Sequence, residues 1–273
     1  MGRIVKTIIL SVALLVSAPL FAQFDLSVVG AGAGLGGTSV ALENADAAIE
    51  NAAGLALVES RWIGLSLQQL PKVEGMNQAA ISMASPLPFG GMGLGVVHYG
   101  DAEYHEERIT LAYGLPVGEH VALGVALHYL HSGTSDPYYD PLNRATFTIG
   151  LRYSLSQRLT VGFRAYNPVA VIGETEQAVR IPALFNMGVS CWLTSELMAV
   201  AEVEKSSFYP ARLRTGLQYK FLEDYMVRVG LCTAPVVYTF GVGVQKTHIG
   251  GDVAVQVHNV LGLLPQLALH YRF

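Results

Sequence analysis

From residue 59 onward, apolar and polar residues alternate with a period of two in segments of about ten residues, and turn-forming clusters separate the segments. Between residues 146 and 153, Phe147, Ile149, Leu151 and Tyr153 fall on one face, and Thr146, Thr148, Gly150 and Arg152 on the other. The same alternation recurs over 121–129, 159–165, 212–220 and 267–273. Helices do not fit these windows, because glycine and charge would fall all round the axis and leave no apolar stripe to bury. Strands remain, with one face suited to lipid and the other to water. About half of the chain is hydrophobic (51%), yet past Ala22 no run approaches the roughly 20 apolar residues of a membrane helix. Apolar character spread over every second position is the signature of a membrane barrel.

Counting the segments predicts an all-β fold, an antiparallel transmembrane β-barrel of about 14 strands. The connections sort by parity. Those at 86–89, 116–119, 155–157, 193–195, 221–224 and 245–247 are tight, whereas 100–107, 131–143 and 167–180 on the other parity are long. Bacterial barrels keep short turns in the periplasm and longer loops outside, which predicts the outer membrane with both termini periplasmic. Tyr113, Tyr153, Trp192, Tyr219 and Tyr271 with Phe273 stand just before the short turns and read as an interfacial girdle. A soluble antiparallel barrel or sandwich is the alternative, and it would need a second sheet to cover the apolar stripes.

The water-facing stripe carries Arg152, Arg164, Glu202, Glu204, Arg212, Arg214, Arg228 and Asp252. Glu202 and Glu204 can pair with Arg212 and Arg214 across neighbouring strands, so the first reading of these charges is structural ion pairs that close the interior. A charge-lined conduit is the sharper reading.

Three regions follow. Residues 1–22 have a basic start at Arg3 and Lys6, an apolar run and a small-residue exit, and read as a secretory signal peptide. Residues 23–58 read as a plug segment whose glycine and alanine suit backbone tucked into a narrow lumen. Residues 59–273 form the barrel. Loss of Arg3 and Lys6 with the leader leaves 15 basic residues against 21 acidic ones, moving the net charge from −4 to −6. No nucleic-acid footprint is expected from that balance. Cys191 and Cys232 have no CxxC context and read as small wall residues.

Within 34–56 stand Gly34-Leu-Gly-Gly-Thr-Ser-Val-Ala-Leu-Glu-Asn-Ala-Asp-Ala-Ala and Glu50-Asn-Ala-Ala-Gly-Leu-Ala. This stretch resembles the N-terminal signature of FadL-type outer-membrane barrels and of the related PorV/PorQ-like proteins. The matching plug positions are Gly34, Gly36, Gly37, Asp46, Asn51, Gly54 and Leu55. Ala52 departs from the pattern, which has proline there and so restricts the preceding residue. The closing stretch with Leu269, Tyr271 and Phe273 is similar to the C-terminal targeting strand of such barrels. The resemblance implies one of two roles. PorV-like proteins are non-enzymatic subunits or adaptors of protein export, notably type IX secretion, with outer-membrane lipid and other envelope proteins as partners. FadL-like proteins are passive channels for fatty acids and other small hydrophobic molecules. Only 168–172 and 260–265 look like apolar outer loops, which favours the adaptor over a greasy binding pocket.

Other chemistry was weighed against the pattern. Gly32, Gly34 and Gly37 satisfy a GxGxxG spacing, but no βαβ unit surrounds them. His98, Asp101, Glu103, His105, Glu106 and Glu107 read as a solvated acidic loop without recognised ligand spacing, so no metal site is expected. Nothing resembles a nucleophile elbow. The expectation is a protein that is not an enzyme and carries no cofactor; a barrel-embedded lipase or acyltransferase is the third possibility.

Overall fold

A computed structural model describes residues 30–42, 46–70, 75–171 and 181–273. The leader at 1–22, the start of the plug segment at 23–29 and most of the loop at 167–180 lie outside the described residues. The chain forms β1 (Trp62–Gln69), β2 (Asn77–Leu87), β3 (Gly90–Gly100), β4 (Tyr104–Val117), β5 (Val121–Thr134), β6 (Leu142–Ser154) and β7 (Leu159–Tyr166). It continues through β8 (Leu184–Trp192), β9 (Leu197–Ser206), β10 (Arg212–Leu222), β11 (Tyr225–Thr233), β12 (Val236–Gln245), β13 (Ile249–His258) and β14 (Gly262–Arg272). Each strand pairs antiparallel with the next, and β1 pairs with β14, closing a 14-stranded barrel. Closure leaves no unpaired edge, which is what lets a sheet exist without water around it.

Alternation decides which residues face where. In β5, Ala122, Gly124, Ala126 and His128 are buried inside, while Leu123, Val125, Leu127 and Tyr129 are exposed outside. Leu127 and Met187 are 60% and 62% exposed, and a band of such side chains encircles the wall. A surface so apolar is costly in water and favourable in hydrocarbon.

The strands run farther than the sequence pattern predicts on the long-loop side. β3 ends at Gly100 and β4 begins at Tyr104, so the expected loop at 100–107 shrinks to 101–103. The expected loop at 131–143 shrinks to 135–141 between β5 and β6. Polar residues there do not stop the ladder, since His98 still pairs with Glu107, Glu107 with His131, and His131 with Asn143. The acidic cluster is therefore mostly strand. Tyr113, Tyr153, Tyr219 and Tyr271 face outward, but Trp192 does not join them. It shares the inner face of β8 with Ser190, whose hydroxyl donates to the Ala41 carbonyl at 3.1 Å, and it packs against Leu35, Met198 and Val200. Its depth suits a girdle; its parity turns it inward.

The described residues between Gly30 and Val58 lie inside the wall. Gly30–Leu35 forms a first 3-10 turn against β10 to β14, and Ala52–Leu57 a second against β2 to β6.

Candidate functional site

The lumen is built from two kinds of wall residue. The first is glycine. A side-chain carbon on Gly124 would stand 2.1 Å from the Ala53 nitrogen, one on Gly150 2.1 Å from Asn51 Oδ1, and one on Gly230 2.1 Å from the Gly36 nitrogen. On Gly162 it would stand 2.2 Å from the Val40 carbonyl oxygen. Gly114 pairs with Gly124 and Gly124 with Gly150, while Gly162 pairs with Gly188 and Gly216 with Gly230, so bare backbone forms stepped tracks inside the wall. The described residues of the 30–58 segment lie in those tracks, mostly backbone against backbone. Sequence patterning missed these glycines, although their signal was present: glycine stands where a half-wet strand ordinarily carries a polar side chain.

The segment residues fit that track. Gly36 and Gly37 have φ of +73° and +82°, a region open to glycine at little cost, and the Gly36 nitrogen donates to Thr239 Oγ1 at 2.8 Å. Gly34 sits against Gly241 of β12, and its carbonyl accepts from the Thr239 hydroxyl at 3.0 Å. Asn51 caps the second 3-10 turn, accepting from the Ala53 nitrogen at 3.2 Å and donating to the Val40 carbonyl at 2.7 Å. Gly54 lies beside Ala47, and Leu55 is fully buried among Ala47, Ala52, Ala84, Ala112 and Ala126. Asp46 accepts from the Ser82 hydroxyl at 2.5 Å and faces His270 Nε2 at 3.0 Å.

Charge is the second kind of wall residue. Glu202 Oε2 accepts from the Ser39 and Val40 nitrogens at 2.8 and 3.0 Å, and Arg214 donates to the Gly37 carbonyl at 2.6 Å. Arg164 donates to the Glu50 carbonyl at 2.9 Å and to Asn186 Oδ1 at 3.0 Å. Asn186 in turn donates to Glu202 at 2.7 Å and to Glu204 at 2.9 Å. Arg214 and Arg212 reach Glu204 at 3.0 and 2.5 Å. On the neighbouring strands Arg228 of β11 pairs with Asp252 of β13, and Arg152 is buried on the inner face of β6. Buried ions in such a setting need partners, and here the wall's own charges and the segment's backbone supply them to one another. Asn186 links three of these side chains and was not singled out by the sequence reading, because a neutral amide does not show in a charge pattern.

Toward the loop end the lumen changes character. Leu70, Tyr99 and Leu264 are buried together, with Met76 and Leu261 packed on them. Beneath them Ile49 of the segment packs on Ala80 and Val97. This apolar group sits on the β14, β1 and β3 side, among the buried polar residues Ser66, Gln78 and Gln266 of the same wall, and across the lumen from the charged lining of β7 to β10. Leu269, Tyr271 and Phe273 face outward at the other end, where the Phe273 nitrogen donates to the Arg61 carbonyl at 3.0 Å and the Tyr271 and Phe273 rings meet edge to face.

No family model matches this chain, and no curated protein matches it. Solved structures do. The Ralstonia pickettii toluene transporter TbuX is similar over 92% of this chain and 100% of the transporter, with a TM-score of 0.68 at 14% identity. A TodX monoaromatic hydrocarbon channel with its deltaS2S3 mutation is similar over 91% and 99%, with a TM-score of 0.69 at 13% identity. A Pseudomonas aeruginosa FadL homologue is similar over 89% and 98%, with a TM-score of 0.65 at 12% identity. At such identities the likeness establishes the shared fold.

Proposed function

We propose that this chain is a bacterial outer-membrane barrel that passes small hydrophobic molecules passively, with the 30–58 segment as a plug at the inner mouth. In this reading the short turns face the periplasm, and both termini are taken to be there with them. The observation that carries the reading is the divided lumen. Leu70, Tyr99 and Leu264 pack together at the loop end, and an apolar guest that displaces Met76 and Leu261 from them can leave water there, while the charges opposite are occupied with one another and with the plug. Membership of a fold shared with hydrocarbon channels supports the same reading. It reverses the order expected from loop composition alone, which placed the export adaptor first. None of the neighbours described above is a secretion subunit, and among the described residues no feature of the lumen favours cargo docking over passage of a small guest. The barrel's own role in this proposal is non-enzymatic, and its partner is the surrounding lipid; any further envelope partner would show in a pull-down from native membranes.

The test is uptake of a monoaromatic hydrocarbon and of a fatty acid into proteoliposomes holding the isolated barrel. Uptake above that of protein-free vesicles is expected, with a severalfold loss in Leu264→Asp. Vesicles no more permeable with the barrel than without it would reject the proposal.

A further inference from the structure

On the outside of the wall, at its loop end, histidines gather around one glycine. His98 of β3, Glu107 of β4, His131 of β5 and Asn143 of β6 form one row across four strands. His105 stands two residues from Glu107 on the same face of β4, and Gly133 of β5 stands directly opposite it. The side chains of His98 and Glu107 are 42% and 44% exposed, so water reaches the group.

The geometry around Gly133 is that of a small vacated cradle. A side-chain carbon there would stand 3.1 Å from His105 Nε2 and 3.4 Å from His131 Nε2, so both nitrogens border the space glycine leaves open. Ring centres of His105 and His131 are 5.6 Å apart, and those of His98 and His105 6.2 Å. A Zn–N bond of about 2.0–2.1 Å puts an ion about 3.2 Å from each ring centre, so imidazoles sharing one ion lie about 5.2–6.4 Å apart. Both observed separations fall in that window.

The rings are also held from behind. His131 Nδ1 lies 2.8 Å from Asn143 Oδ1, and since the amide oxygen only accepts, Nδ1 carries the proton. In the neutral ring that leaves the lone pair on Nε2, the nitrogen at the cradle. His98 Nδ1 faces Glu107 Oε1 at 3.3 Å in the same manner. Hydrogen bonds of this kind orient metal-ligating histidines in known sites. Among the described residues no three ligating side chains already converge on one point. The His98 and His105 rings lie within 20° of parallel, and uptake of an ion requires them to turn toward it.

We infer that His105 and His131, with His98 as third ligand, form a binding site for a transition-metal ion of the zinc or copper class on the outer rim of the barrel. Imidazole donors select that class over calcium and magnesium, which take oxygen ligands. An ion held there would join the ends of β3, β4 and β5 where they leave the membrane. The inference is independent of what the lumen carries.

The test is titration of the purified full barrel in detergent with Cu²⁺, read by paramagnetic resonance, alongside calorimetry with Zn²⁺. One ion per barrel is expected, with splitting from at least two imidazole nitrogens. H105A/H131A should abolish it, and G133A, which fills the cradle while keeping every ligand, should weaken it about tenfold or more. N143A should cost about 10–100-fold, the usual loss when the partner behind a ligating histidine is removed. H120A, at the opposite end, should bind as the parent does. If the alanine pair fails to insert, as judged by heat-dependent gel mobility, H105N/H131N serves in its place. Copper binding that survives loss of both histidines overturns the site, and undiminished affinity in G133A overturns its position.

Discussion

Gly124, Gly150, Gly162 and Gly230 act through what they lack. Each lies within a strand, where glycine ordinarily weakens the sheet; Gly124, Gly162 and Gly230 let the backbone of the 30–58 segment approach to a distance no side chain would permit, and Gly150 does the same for the Asn51 amide oxygen. Gly124→Ala and Gly230→Ala should therefore displace the segment without unmaking the wall. Limited proteolysis should cut 30–58 faster in these variants, while heat-dependent gel mobility stays that of a folded barrel; unchanged cleavage would contradict the close contact. These positions were hidden in the sequence for a physical reason. A glycine on the inner face satisfies strand alternation as well as serine does, and the group that needs its absence of side chain lies from about 70 to about 190 residues away along the chain. Asp101 makes a smaller point at the same scale. It sits in the tight 101–103 connection, and the backbone N–H groups of Tyr104 and Glu103 hold its carboxyl below the usual value of 3.8. Its contribution to the turn is complete above that ordinary value and fades as pH falls through the lower folded one. The side-chain carboxyl resonance should titrate with a midpoint below 3.8.

Among elements, the decisive contact joins the 30–58 segment to β8, β9 and β10. Glu202 accepts from two segment nitrogens and lies within ion-pair range of Arg214, with both side chains almost fully buried. Glu202→Ala leaves Arg214 short of a partner and strands two N–H donors. Removing one member of a buried pair typically costs about 3–5 kcal/mol, so the midpoint of urea unfolding should fall. Glu202→Gln keeps a carbonyl acceptor for the segment and should fall less. A midpoint unmoved by Glu202→Ala would assign the segment's attachment to the glycine tracks alone. The strands themselves were legible, because their period of two needs no distant information, and Glu202 and Glu204 oppose Arg214 and Arg212 as the alternation suggested. The ends of β3, β4, β5 and β6 were not. A polar row such as His98, Glu107, His131 and Asn143 reads as a loop in sequence, whereas hydrogen bonding carries the ladder through it. Trp192 shows the complementary failure: distance from a turn was legible, but the face depends on counting alternation from Ser190.

At the scale of the whole molecule, the 14-strand count and the closed wall follow from alternation and parity, whereas the division of the lumen does not. Leu70 just beyond β1 and Tyr99 and Leu264 near the ends of β3 and β14 come together, and no window of sequence shows them as one surface. Because the segment lies across the bore, held by the glycine tracks and by the charged wall, deleting residues 23–58 should leave a water-filled bore. Planar-bilayer recordings should show a stable ionic conductance in the deletion that the parent barrel lacks. Equal conductance in both would mean that the segment does not obstruct the bore.

The seam between β1 and β14 joins residues 62–68 to 266–272, so the first and last strands to leave the ribosome are neighbours. Until that stitch is made the sheet has two raw edges of amide and carbonyl, which hydrocarbon could not satisfy in the membrane proposed above. A chain that stops short of Gly262 lacks the partner that β1 has in the whole molecule, so the 14-stranded wall closes only when its final strand is present.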